Sequence, residues 1–226
     1  MSGFSALLLD LDGTLLDTAP DMGGALNRLR IERGLEPLPS SRIRPVVSHG
    51  AARLVTLGFP DASGNEFEML RLRFLEIYAQ NIAADTRLFP GFDSVLEELE
   101  RRGLPWGVVT NKPAWLTDPL LAILGLDRRA RCVVSGDTLP ERKPHPLPLL
   151  HAAELVGVPP ARCVYVGDAQ RDIQAGRAAG MTTLVAAYGY LGADDDPGSW
   201  EPTGIVSEPG ELLAWLEPDA VRVAGT

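Results

Sequence analysis

Leu7-Leu8-Leu9-Asp10-Leu11-Asp12-Gly13-Thr14-Leu15-Leu16 is an apolar run, cut by two acids one residue apart and then by Gly-Thr. A strand buried on both faces of a parallel sheet reads as a continuous apolar run, because helices cover both of its sides. Residues i and i+2 of an extended strand point the same way. Asp10 and Asp12 are therefore expected to leave the strand end together. In open α/β sheets the ligand crevice lies beyond the carboxyl ends of the strands. Two carboxylates aimed there repel each other, and burying them is costly unless a divalent cation, a shared proton or a lysine offsets their charge. The plainer alternative is one solvated acid and one that caps the next helix.

Downstream, residues from about 17 to about 85 carry only helical patterns, with no clear strand. Asp17-Thr18-Ala19-Pro20 reads as a helix start, with Asp17 a candidate cap, and Met22, Ala25, Leu26 and Leu29 follow at helical spacing up to Gly34. A short helix is expected from Ser40 or Ser41 to Val47, another over Ala51 to Leu57, and a long amphipathic one over Glu66 to Ile82. The polar, Gly-containing break Ser48-His49-Gly50 lies between the first two. Beyond Leu88 the pattern becomes alternating. Strands are expected at 106–110, 131–135, 162–167 and 182–187, each separated from the next by a helical stretch, and a last helix at 209–216. Alternating strands and helices indicate a parallel sheet covered on both faces. The fold class is thus α/β, a Rossmann-like doubly wound sheet, with residues 1–16 and 87–226 forming the core domain and 17–86 an inserted helical cap.

The 226 residues carry a formal net charge of −9, which argues against a nucleic-acid partner, since that role calls for a basic face. No apolar run approaches the ~20 residues of a membrane-spanning helix. Met1-Ser2-Gly3-Phe4 has no basic signal-peptide region. The two cysteines, Cys132 and Cys163, match no metal or redox spacing. A reducing cytoplasm is the expected location, and a small molecule the expected partner; oligomeric state is not legible.

The strand ends share one chemistry. They carry Asp10 and Asp12, then Thr110 and Asn111, then Lys143 in the loop after the third strand, then Asp168 with Asp172 four residues on. In a parallel sheet these converge on one edge. Carboxylates there suit Mg²⁺, which prefers oxygen ligands, waters and substrate phosphate. A hydroxyl, an ammonium and backbone N–H groups suit a phosphoryl dianion. One carboxylate can act as nucleophile, and a second can protonate the leaving oxygen and then deprotonate water.

Asp10-Leu11-Asp12-Gly13-Thr14, Thr110-Asn111, Lys143-Pro144 and Gly167-Asp168-x-x-x-Asp172 resemble, in order, the four motifs of the haloacid dehalogenase superfamily. The resemblance spans residues 7 to about 190. It implies Asp10 as nucleophile and Asp12 as general acid/base. It implies Thr110, Asn111 and Lys143 as phosphate binders, with Lys143 also holding Asp10. Mg²⁺ would be bound by Asp10, Asp168 and the main-chain carbonyl of Asp12, with Asp172 in support. The helical insertion resembles the family's C1 cap, and the motif-flanking residues resemble the phosphoglycolate phosphatase-like branch. Length and cap sequence are most similar to bacterial N-acetylmuramic acid 6-phosphate phosphatases. That implies this sugar phosphate as substrate and peptidoglycan recycling as the process, with 2-phosphoglycolate as the alternative.

His49, Gly50 and Arg53 are the cap residues expected to touch the leaving group. Lys112 and Arg171 are read as surface or rim residues, and His145 and His151 as non-catalytic. Competing activities fare less well. A dehalogenase has no need of Asp12. A phosphonatase would want a cap lysine, and no lysine lies between residues 1 and 111. A sugar-phosphate mutase and a non-catalytic phosphate-binding module are the remaining alternatives.

Overall fold

The computed structural model describes residues 4–193 and 195–215. In chain order the elements are β1 (Ala6–Leu9), β2 (Leu16–Asp17), α1 (Ala19–Glu32), α2 (Ser40–Ile43), a 3₁₀ turn over Arg44–His49, α3 (Gly50–Gly58), α4 (Gly64–Gln80) and β3 (Arg87–Leu88). There follow α5 (Phe92–Arg102), β4 (Trp106–Val109), α6 (Ala114–Ile123), β5 (Cys132–Val134), α7 (Leu147–Val156), β6 (Cys163–Gly167), α8 (Gln170–Ala178), β7 (Thr182–Ala186) and β8 (Gly204–Val206). A 3₁₀ helix over Pro209–Trp215 stands where an α-helix over 209–216 was expected; residue 216 lies outside the described residues.

Six strands form one parallel sheet in the order β5-β4-β1-β6-β7-β8. The chain steps outward from β1 to β5, then returns to β6 on the other side of β1. The order therefore reverses at β1, which puts the ligand crevice of this topology at its carboxyl end. Leu9, the last residue of β1, pairs with Val108 on one side and Val166 on the other. Every residue of β1 is buried. Leu7 and Leu9 pack with Val108, Val164 and Val166 in one apolar cluster, while Ala6 and Leu8 pack with Val109, Tyr165 and Leu149 in another. Two buried faces on a period of two are what make Leu7-Leu8-Leu9 uniformly apolar. Cys132 and Cys163 are buried and form no disulfide, and burial raises both thiols to about 11.

The insertion differs from an all-helical reading at its borders. Leu16 and Asp17 of β2 pair antiparallel with Leu88 and Arg87 of β3. Two-residue strands carry too few positions to show a period. The three-residue β8 escapes sequence reading for the same reason. Asp17 does not cap α1: the cap position is Thr18, which makes no side-chain capping bond. Instead Asp17 pairs with Arg44 at 2.9 Å and accepts a hydrogen bond from the Tyr190 hydroxyl at 2.7 Å. Helices α1, α3 and α4 bury Leu26, Leu54, Val55, Phe74 and Tyr78 in the same cluster that holds Leu7 and Leu9. Among the described residues no helix is long and apolar enough to cross a membrane.

Candidate active site

Strand pairing of β1 stops at Leu9, but the Asp10 amide still donates to the Val166 carbonyl at 2.9 Å. Asp10 is thereby held in line with the strand, between β4 and β6. The chain then folds back on itself: the Leu15 and Leu16 amides donate to the Leu11 carbonyl, and the Gly13 amide to that of Leu16. Gly13 sits at φ +83°, and a Cβ there would collide with Asp168 Oδ2 and Ser48 Oγ. Only glycine fits this turn, both for its backbone and for its neighbours. Asp10 and Asp12 do open on one cavity. The tight turn after β1 carries Asp12 there, however, and not a continued strand pleat.

The cavity has a volume of about 470 Å³ and lies between the sheet edge and α1, α3 and α4. Its core-side lining includes Asp10, Asp12, Thr110, Asn111 and Arg171, and its cap-side lining includes His49, Gly50 and Tyr78. Arg53 is exposed and does not line it. Neither His145 nor His151 is in the lining.

Beneath the floor, Lys143 is fully buried. Its ammonium lies 2.9 Å from Asp10 Oδ1 and 2.8 Å from Asp172 Oδ1, and donates also to the Val109 carbonyl and the Tyr165 hydroxyl. Three N–H bonds thus serve four acceptors. The Asn111 carboxamide bonds the Lys143 backbone in both directions, through Nδ2 to the carbonyl at 2.9 Å and Oδ1 from the amide at 3.1 Å. Its side chain therefore anchors the loop that carries the lysine. Thr110 is buried, and its hydroxyl accepts from the Lys112 amide.

Burial pushes the Asp10 carboxyl up, while Lys143 pulls it back toward ionisation. Asp168 is raised to about 7, by burial first and then by the charges of Asp10 and Asp172. Oxygens of Asp10, Asp168 and Asp172 lie within 4.8 Å of one another. Asp172 is already committed: Oδ1 meets Lys143 and Tyr165, and Oδ2 accepts from the Ala169 amide at 3.1 Å. Asp168 is not. Its Oδ2 accepts from Ser48 Oγ at 2.5 Å and the Tyr190 amide at 3.0 Å, but its Oδ1 is buried without a partner. A buried carboxylate oxygen with no donor is costly, and the same oxygen is a ready ligand for a hard cation. The donor set is all oxygen, which fits Mg²⁺.

Two residues expected at the rim lie inside. Lys112 is buried, with its ammonium 3.0 Å from Asp12 Oδ1 and over the Tyr78 ring at 4.5 Å. Desolvation pushes Lys112 down, but Asp12 and Tyr78 outweigh it and leave the amine raised. Arg171 donates to the Ser48 carbonyl at 2.7 Å and stands 4.0 Å from Asp10 Oδ2. Asp12 Oδ1 also accepts from the Thr18 hydroxyl at 2.7 Å. Lys112 directly follows Thr110-Asn111 in sequence, which was a usable signal. Arg171 lies inside the Gly167–Asp172 motif and Ser48 in the polar break before α3, which were usable signals too; nothing local marked Tyr78, which reaches the site from the middle of a helix.

The model of the haloacid dehalogenase-like hydrolases matches residues 7–186. A phosphoglycolate phosphatase of Xanthomonas campestris is 45% identical over 216 residues, covering 94% of this chain and 98% of its own length. An N-acetylmuramic acid 6-phosphate phosphatase of Pseudomonas aeruginosa is 41% identical over 213 residues, covering 94% of each. A crystal structure titled as a predicted phosphoglycolate phosphatase from Haemophilus somnus superposes with a TM-score of 0.84 at 28% identity, over 95% of this chain and 98% of that one. Fold, strand-end residues and relatives agree: the chain belongs to the haloacid dehalogenase-like hydrolases, and it is an enzyme of their phosphatase group.

Proposed function

We propose that the chain is a Mg²⁺-dependent phosphatase of small-molecule phosphate monoesters that works through an aspartyl-phosphate on Asp10. The observation that carries this reading is the pairing of the buried Asp10 carboxylate with Lys143 at 2.9 Å, at the floor of a cavity that Asp12 and Thr110 also line. Lys143 favours the ionised form of Asp10 against its burial. Asp10 attacks the phosphorus, the ester P–O bond breaks, and Asp12 passes a proton to the leaving oxygen. Asp12 then takes a proton from water, whose oxygen attacks the phosphorus of the acyl phosphate. Orthophosphate leaves and the Asp10 carboxylate is restored. The Thr110 hydroxyl and the Asn111 backbone amide receive the phosphoryl oxygens, and Lys143 offsets their charge from below. Asp10, Asp168 and the Asp12 main-chain carbonyl would hold Mg²⁺, with Asp172 in support through Lys143. When bound, Mg²⁺ would offset the charge of the phosphoryl oxygens and of the carboxylates around them.

For the substrate we favour N-acetylmuramic acid 6-phosphate. A volume of about 470 Å³ suits a phosphosugar, whereas 2-phosphoglycolate would leave much of it to water. The second reading, 2-phosphoglycolate, is favoured by the name of the 45% identical relative. Both molecules carry a carboxylate in addition to the phosphate, and Arg71 of α4 and Arg142 of the loop before Lys143 line the cavity. Side-by-side kcat/KM measurements with Mg²⁺ decide between them. A higher value for the sugar phosphate supports the first reading, and a higher value for 2-phosphoglycolate the second. Failure to hydrolyse either substrate, or any of a broad panel of phosphate monoesters, would overturn the phosphatase assignment itself.

A further inference from the structure

Ser48 belongs to the helical insertion, yet its hydroxyl and its carbonyl both bond to the core. Its hydroxyl donates to Asp168 Oδ2 at 2.5 Å and lies 3.5 Å from the Asp12 carbonyl. Its own carbonyl accepts from Arg171 at 2.7 Å. A hydroxyl has a single proton to give, and the shorter contact assigns it to Asp168. The other donor to the same oxygen is the Tyr190 amide at 3.0 Å, which comes from the core. Asp168 Oδ2 is thus filled by one donor from each side of the cavity, while Oδ1 stays buried and unpartnered. Two donors on one oxygen fix the plane of the carboxylate and leave the other oxygen for a cation.

Resting on the Mg²⁺ assignment above, we infer that Ser48 is a positioning residue by which the closed cap orients Asp168 for the cation. The seat is close-fitting: a Cβ on Gly13 would strike both Ser48 Oγ and Asp168 Oδ2. The contact makes cation holding and cap closure mutually supporting, because any movement that withdraws Ser48 removes one of the two donors on Oδ2. Arg171 strengthens the coupling. It holds the Ser48 carbonyl with the same guanidinium nitrogen that stands 4.0 Å from Asp10 Oδ2. Residues that orient metal ligands in this way typically contribute about 10- to 100-fold to metal affinity.

The test is calorimetric titration of the full chain with MgCl₂ alone, so that the reading does not depend on turnover. Ser48→Ala is expected to weaken Mg²⁺ binding by about tenfold or more, and Ser48→Thr, which keeps the hydroxyl, to restore most of it. In turnover, the Mg²⁺ concentration for half-maximal rate should rise in Ser48→Ala while KM for the phosphate ester moves little. Thermal unfolding in EDTA checks that both variants fold. Equal or tighter Mg²⁺ binding by Ser48→Ala would overturn the inference and leave the phosphatase reading intact. A wild-type chain that takes up no Mg²⁺ would overturn both.

Discussion

Lys143 Nζ lies 2.9 Å from Asp10 Oδ1, and neither side chain is open to solvent beyond 4%. A buried ion pair is weak evidence of stability, but breaking one strands a charge. Here the stranded charges would be two, since Asp172 depends on the same ammonium at 2.8 Å. Lys143→Met is therefore expected to lower unfolding free energy by about 3–5 kcal/mol and to abolish turnover. Urea unfolding of the metal-free protein measures the first effect. An unchanged midpoint would mean that the two carboxylates find other partners.

Asp10→Asn keeps the shape of the side chain and its ability to accept the Leu11 amide, which now reaches Oδ1 at 2.7 Å. It removes the proposed nucleophile. Turnover should fall by roughly a thousandfold or more, with the folded state retained by circular dichroism. Activity within tenfold of wild type would contradict an acyl phosphate on this residue.

Lys112 and Thr18 together fix the Asp12 carboxylate. Misplacing a catalytic group by about 1 Å can cost on the order of a hundredfold, so Lys112→Met should lower kcat by about ten- to a hundredfold with KM little changed. Asp12→Asn should lose about 10²–10⁴. In the double variant the loss from Lys112→Met should nearly vanish, because the group it positions is gone. Full additivity would assign Lys112 to the substrate instead.

Asp168 sets a pH dependence with a definite sign. Its folded-state pKa is raised to about 7 by burial beside Asp10 and Asp172, against about 3.9 in an unfolded chain. Between these values the folded, metal-free protein holds a proton that the unfolded chain has lost. Its contribution to stability is complete below about pH 4 and is lost as pH rises through about 7. On the proposed cation site Mg²⁺ would displace that proton, so the rise in Tm caused by Mg²⁺ should grow from pH 5.5 to 8. In Asp168→Asn the metal-free slope should flatten over pH 4–7. A Mg²⁺ effect that is constant across this range would remove Asp168 from the cation site.

Much of this enzyme was legible in its linear order. Leu7-Leu8-Leu9 read as a strand buried on both faces, since a short, uniformly apolar run that ends in acids suits the centre of a parallel sheet. The helix-strand alternation after Leu88 led to the parallel sheet, and four motif positions led to the edge where Asp10, Lys143, Asp168 and Asp172 gather. Those features are local, or repeat with a period that backbone geometry imposes. Apart from Lys143 on Asp10, which the family resemblance implied, the pairings within the site were not legible. Lys112 looked like a rim lysine and is buried on Asp12; Arg53 looked like a substrate contact and is exposed outside the cavity. Ser48 stood in a polar break between helices, and its 2.5 Å bond to Asp168 spans 120 positions of sequence. Charge type and spacing along a chain determine which groups can do the chemistry. Which of them share a proton, a cation or a wall depends on how the insertion lies over the sheet, and that is set by the burial of Leu26, Phe74 and Tyr78 in the same core as Leu7 and Leu9.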